Sequence, residues 1–195
     1  MSLSKVNSAL LAVIILLNCY VIAAPFIPSL IFSLQINGKQ HQRLSKQVSS
    51  IKSGTKIDSV ESGNRVLIPA MLLNQPVLEG SVANQYKTLN NGIWHWPNAG
   101  SPSTGGNTVL IGHRFTYTNP KGVFYFLNKV SLGDLIGVYW NNKQYLYKVA
   151  DTEVVPPTNT SIENNTARAE LTLFTCTPLL LPKDRLVVIA YLEKN

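Results

Sequence analysis

Leu171-Thr172-Leu173-Phe174-Thr175-Cys176-Thr177-Pro178 is the stretch from which the rest of the chain can be organised. Its aliphatic, aromatic and β-branched residues favour an extended strand, and alternation puts residues 172, 174 and 176 on one face. Pro178 has no amide to give to a ladder, so pairing ends near Thr177 and the Cys176 thiol sits at a sheet rim. Outward from this strand the same texture recurs. Short runs rich in Val, Ile, Leu and Tyr at 65–71, 76–79, 108–113, 135–140, 145–155 and 185–192 read as strands. Asn141-Asn142, between two of them, reads as a hairpin turn. Helical signals are short: residues 83–89, and a turn around 124–130. Residues 94–106 carry three Gly, Pro and Ser clusters and are expected to form a loop. Seven or eight short strands with few helices indicate an all-β barrel or sandwich.

The N-terminal quarter has a different character. No Asp, Glu, Lys or Arg occurs from Val6 to Gly38, and the apolar core runs over residues 9–34, interrupted by Asn18, Pro25 and Pro28. Residues 9–24 as a helix span roughly 24 Å, short of the ~30 Å hydrocarbon core. Continuation through the prolines to Leu34 gives sufficient length with a kink. A cleaved signal peptide ending at Ala23-Ala24 is the rival reading, but the apolar run continues past Pro25. Residues 1–36 are therefore expected to be an uncleaved transmembrane anchor, 37–60 a juxtamembrane linker rich in Gln, Ser, Lys and Gly, and 61–195 the folded domain.

Charge follows the same division. The chain of 195 residues has a formal net charge of +7, with six basic and no acidic residues before residue 57. The remainder is nearly balanced, so the excess lies where it can meet anionic lipid head groups. No basic stripe or aromatic-basic motif occurs in the folded part, and no nucleic-acid partner is expected. Positive-inside counting sets Lys5 and the α-amine against Lys39, Arg43, Lys46 and Lys52, which opposes an external domain. The chemistry below favours one, and a single-pass protein with an extracellular domain is expected on that ground.

Cys19 lies in the apolar segment, so the folded domain carries one thiol, Cys176. Free cysteines are commonly small buried hydrophobes, and that reading applies to Cys176 taken alone. Its company points elsewhere. A thiol reacts at neutral pH when a cationic or basic neighbour favours the thiolate. His113 ends one candidate strand and Arg185 opens the last one, where it meets Cys176 if those two strands pair. His95, between Trp94 and Trp96, reads as a packed or polar loop residue, and His41 falls in the linker. Arg114 and Arg168 are the rivals of Arg185. Arg114 alternates to the face opposite His113, and Arg168 lies on the loop before the cysteine strand.

These residues carry a resemblance. Thr172, Leu173, Thr175 and Cys176 match the T-L-x-T-C signature of sortases, with Phe174 in the variable place. Ile111-Gly112-His113 resembles the segment bearing the sortase histidine, and Arg185-Leu186-Val187-Val188 the segment bearing its arginine. The likeness extends through Leu67-Ile68-Pro69, Pro76-Val77-Leu78-Glu79-Gly80 and Gly133-Asp134, covering about Val66 to Leu192. The Gly-His-Arg and Cys-Thr-Pro runs look closer to classes D and E than to class A. An asparagine-rich loop over 158–166 departs from the pattern.

The resemblance implies an eight-stranded β-barrel with short helices and a transpeptidation at an LPxTG-like C-terminal sorting signal of surface proteins. Cys176 is then the nucleophile and Arg185 the oxyanion donor. His113 is the acid that protonates the leaving amine, and Thr175 a substrate contact. The thioester passes to an amine on a cell-wall precursor or a pilin subunit, with no cofactor or metal. A non-catalytic, membrane-tethered binding or scaffold module is the alternative from another class.

Overall fold

The computed structural model describes residues 3–56, 63–116 and 121–194. Eight strands close into a barrel: β1 (Arg65–Ile68), β2 (Leu73–Leu78), β3 (Ile93–His95), β4 (Asn107–Ile111), β5 (Leu135–Trp140), β6 (Lys143–Val155), β7 (Glu170–Thr177) and β8 (Asp184–Leu192). They are ordered β1-β2-β3-β4-β7-β8-β6-β5 around the closed sheet. Closure leaves no open sheet edge, and each of the eight strands has two partners. Pairing is antiparallel except for β2 with β3 and β4 with β7.

Alternation along each strand separates two sets of apolar side chains. Val66, Ile68, Leu110, Ile136, Leu171, Leu173, Val188 and Ala190 fill the interior together with Phe124 and Leu127. Val109, Phe174 and Val187 face outward, where Val155 and Ile162 cover them. The β5–β6 hairpin turns on Asn141 and Asn142, both with φ in the left-handed region (49° and 59°), as the expected two-residue turn requires.

Several elements depart from the expectation drawn from the sequence. The first strand stops at Ile68 because Pro69 fixes its own φ and lacks an amide, and Pro69–Met71 forms a 3-10 turn instead. The second strand begins at Leu73, three residues before the expected start. Residues 93–95 form β3 inside what was expected to be loop from residue 94, pairing Trp94 with Ile111 and His95 with Leu110. Three residues are too few for a periodic signal, and barrel closure supplies the pairing that local propensity does not. The expected helix at 83–89 is a 3-10 turn leading into α4 (Gln85–Asn91).

The N-terminal region is more structured than a kinked span plus linker. Among the described residues one helix, α1 (Leu3–Ala23), is long and apolar enough to cross a membrane. Its 21 residues give about 31 Å, matching the hydrocarbon core without the proline segment. Residues beyond Pro25 form a separate helix, α2 (Ile27–Gln35), whose Pro28 and Phe32 are buried. Phe32 stacks on Phe126 with ring centroids 4.0 Å apart, and Tyr125 donates a hydrogen bond to the Pro25 carbonyl.

The first half of the expected linker is α3 (Lys39–Ser49), which lays Leu44 and Val48 against Leu67 and Tyr139 on the barrel wall, joined there by Ile51. Gly137 makes this docking possible: a Cβ there would stand 2.6 Å from Ile51 Cδ1 and 3.2 Å from Val48 Cγ2. The expected boundary at 60/61 falls outside the described residues. Gly137→Val should overpack this contact, destabilising the protein by about 1–3 kcal/mol. Chemical denaturation of the full chain in micelles would measure it, and an unchanged midpoint would show that α3 is not docked.

Candidate active site

Three strands bring the chemistry-bearing residues together on the outer face of the barrel. β7 and β8 pair antiparallel with Cys176 opposite Arg185. Directly opposite residues share a face, so thiol and guanidinium both point outward with Phe174 and Val187. β4 runs parallel to β7, and their last pair is Ile111 with Phe174. His113 lies two residues beyond Ile111, as Cys176 does beyond Phe174. The Gly112 amide extends the contact by donating to the Phe174 carbonyl at 3.3 Å.

His113 lies just past the end of β4, not within it. Its carbonyl accepts from the Phe124 amide at 3.0 Å, so the segment is held after the ladder ends. Two glycines permit that close approach. A Cβ on Gly112 would lie 2.6 Å from Val123 Cγ1, and one on Gly122 would lie 2.3 Å from the His113 carbonyl oxygen. Thr175 is 1% exposed and its hydroxyl donates to the Gly112 carbonyl at 2.7 Å. Alternation turns its side chain away from that of Cys176. The hydroxyl therefore braces the histidine segment, while Thr175 also contributes to the lining of the cleft.

Cys176, His113 and Arg185 line one cleft of about 340 Å³. Trp94, Trp96 and Ile111 contribute apolar wall, and Tyr86 and Leu89 of α4 another side. The remaining wall is the asparagine-rich β6–β7 loop, through Asn159, Ile162 and Glu163. Its asparagines have a structural use. Asn107 Nδ2 donates to the carbonyls of Ile162 and Asn164, each at 3.1 Å, and Asn165 Oδ1 accepts from the Asn107 amide at 3.1 Å. Asn159 Oδ1 accepts from the Ser161 amide and hydroxyl. The loop is thus tied to β4 over the cleft.

The competing residues go elsewhere. Arg168 places its guanidinium 3.7 Å from the Tyr191 ring centroid, at the far end of β7 where Tyr191 pairs with Glu170. Arg114 donates to Thr177 Oγ1 at 2.7 Å, and neither arginine lines the cleft. His95 is a buried strand residue, not a loop residue. Its Nε2 donates to the Gly100 carbonyl at 2.9 Å and its Nδ1 faces the Glu79 carboxylate at 3.1 Å. Glu163 was not singled out from the sequence. Burial raises its carboxyl above the usual carboxylate value, and the Arg185 charge opposes that rise. The only available signal was its being the one acidic residue in the asparagine-rich loop.

A thiol that shares a cleft with a guanidinium and an imidazole, on the wall of a β-barrel, is an arrangement suited to cysteine acyl transfer. The chain belongs to the sortase family: the sortase domain model matches residues 66–193. Members of that family are cysteine transpeptidases. Sortase SrtE1 of Streptomyces coelicolor is 31% identical over 136 residues, which are 62% of this chain and 37% of that protein. Sortase D of Bacillus subtilis is 27% identical over 128 residues, 65% of this chain and 60% of that one. The chain thus spans between about two fifths and three fifths of these relatives' lengths. A sortase D5 transpeptidase structure from Clostridium perfringens superposes with a TM-score of 0.58 at 26% identity, covering 83% of this chain and 93% of that one. Relatives named sortase A match as well, so the names give only weak support to the expected leaning towards classes D and E.

Burial lowers the His113 pKa below its ordinary value of 6.5. The unfolded chain then takes up this proton at a pH where the folded chain still resists it. His113 therefore contributes stability that is complete above pH 6.5 and is lost as the pH falls through the folded-state pKa. An NMR titration of its ring protons should give a midpoint below 6.5. A midpoint above that value would mean that a neighbouring anion outweighs burial.

Proposed function

We propose that this protein is a membrane-anchored cysteine transpeptidase acting on a C-terminal, LPxTG-like sorting signal. The observation that carries the reading is the Cys176–Arg185 cross-strand pair, sharing its cleft with His113. The Cys176 thiolate attacks the carbonyl carbon of the threonine in the signal. Arg185 donates to the oxyanion as it forms, a contribution of about 3 kcal/mol where comparable donors have been removed from other enzymes. His113, as the imidazolium formed by taking the Cys176 thiol proton, protonates the departing amine and leaves a thioester on Cys176. An amine on a cell-wall precursor or a pilin subunit then displaces the thiolate and gives a proton back to His113. Thr175 braces the Gly112-His113 segment and, as a lining residue of the cleft, also serves as the expected substrate contact.

Placement follows from the same reading. Residues 1–36 form the anchor, with α1 as the span, residues 37–60 join it to the barrel, and 61–195 form the catalytic domain on the outer surface of the cell. Protease treatment of intact cells should degrade the barrel and spare α1, whereas an inaccessible barrel would overturn the external placement.

Cys176→Ala should abolish the thioester seen by mass spectrometry with a sorting-signal peptide. Arg185→Ala should lower kcat/KM by roughly 10²–10³ with the fold retained, as loss of one oxyanion donor does. Arg185→Lys should recover little, because an ammonium lacks the fixed fork of donors. Arg168→Ala should be nearly silent. If Arg168→Ala is inactive and Arg185→Ala is not, the arginine assignment fails and the Cys–His part stands. A thiol at Cys176 that forms no adduct at all would instead favour the non-catalytic scaffold.

A further inference from the structure

The helix that follows the membrane span has two apolar faces. On one, Pro28 and Phe32 of α2 are buried, and Phe32 stacks on Phe126 of the barrel domain. On the other, Ile27, Leu30, Ile31 and Leu34 recur at the spacing of a single helical stripe and are between 46% and 80% exposed. The 3.6-residue period sets the two faces about 130° apart. Ser29 and Ser33 take the third side, and Phe26, just before the helix, is exposed as well. A folded surface leaves single apolar side chains to water, but a contiguous stripe of this kind marks a contact with something else.

The chain before α2 decides what that contact is. The 21 residues of α1 match the hydrocarbon thickness, so the end of α1 lies at the edge of the hydrocarbon. Only residues 24–26 separate α1 from α2. Four steps of extended chain reach at most about 14 Å, and this link is not extended. The Phe26 amide donates to the Ala23 carbonyl at 2.9 Å, and Ala24 and Pro25 are buried. α2 therefore starts in the head-group layer, whichever side of the membrane holds the barrel. Beyond it, Lys39, Arg43 and Lys46 form an exposed stripe on α3, turned away from the buried Leu44 and Val48.

We propose that α2 lies along the membrane surface with its Ile27, Leu30, Ile31 and Leu34 stripe set into the lipid, and that the basic stripe of α3 meets anionic head groups. This is a docking surface for an anionic bilayer, additional to the span and independent of the chemistry at Cys176; it rests only on α1 being the span. An amphipathic helix of this type binds by buried apolar area and by attraction to anionic lipid together. Here its opposite face is packed on the barrel through Phe32, and Ser29 and Pro25 meet the Tyr125 hydroxyl. Lipid on one face and barrel on the other make α2 a rigid joint that sets the barrel at one orientation to the bilayer. The Phe124–Phe126 turn that it grips also holds the His113 carbonyl, through the Phe124 amide.

The test uses the full chain in phosphatidylcholine vesicles with and without phosphatidylglycerol. Cys19→Ser and Cys176→Ala remove the native thiols, and Leu30→Cys, Ser33→Cys or Gln42→Cys supplies one site for an NBD fluorophore. A lipid carrying a nitroxide high on its acyl chain should quench the fluorophore at residue 30 about twofold more than at residue 33. Leu34→Glu should lower the quenching at residue 30 while the protein still floats with the vesicles. A head-group nitroxide should quench residue 42 more strongly when phosphatidylglycerol is present. The triple variant Lys39→Gln, Arg43→Gln, Lys46→Gln should remove that increase.

Equal quenching at residues 30 and 33 overturns the placement of α2. Self-quenching at residue 30 that grows with protein density, without quenching by the nitroxide lipid, assigns the stripe to a second copy of the chain and overturns the lipid partner. A signal at residue 42 indifferent to phosphatidylglycerol, or unchanged in the triple variant, overturns the anionic surface. Protein that does not float with the vesicles overturns the span beneath the proposal.

Discussion

The parallel pairing of β4 with β7 sets the geometry on which the site depends. Its register, ending with Ile111 beside Phe174, brings His113, just past β4, level with Cys176 of β7, and both line one cleft. The antiparallel β7–β8 ladder then sets Arg185 against Cys176 without any further device. Because side chains alternate with a period of two, a slip of one residue in either ladder would turn one partner into the barrel interior. The register is fixed by what lies on both faces. Leu171 and Leu173 are buried inside, and Phe174 is buried outside with Val109 and Val187.

Rigidity around the reactive residues comes from tight backbone contact and short hydrogen bonds. Gly112 and Gly122 let the chain after β4 press against residues 122–124, and the Thr175 hydroxyl holds the Gly112 carbonyl from within. The outer wall is fixed differently, by Asn107, Asn159 and Asn165 tying the β6–β7 loop to itself and to β4. A cleft wall held by side-chain amides can change its lining residues without disturbing the barrel. Binding surfaces are commonly built in this way, on loops over a rigid scaffold.

The N-terminal helices that follow α1 are joined to the barrel through packing. α2 and α3 bury Phe32, Leu44 and Val48 against the barrel, so the domain is not suspended on a free tether from α1. Five of the six basic residues before residue 57 lie on or after α3, where anionic lipid would meet them.

Much of this was legible in the sequence. The strand at 171–176, the Asn141-Asn142 turn, the β5 boundaries and the isolation of one thiol all follow from local pattern: side-chain period, turn chemistry and hydropathy act over a few residues. The sequence also indicated that Arg185 meets Cys176 if two strands pair. Long-range pairing was not legible to the same degree. The three residues of β3, the helices packed over 27–49, the Thr175–Gly112 hydrogen bond and the Arg185 charge acting on Glu163 depend on contacts between distant segments. By itself the sequence determined which residues were able to react and which segments were able to be strands, because those properties belong to residues and their near neighbours. The closed barrel alone decided which of them share a face, because register is set by the burial of both sides of every strand at once.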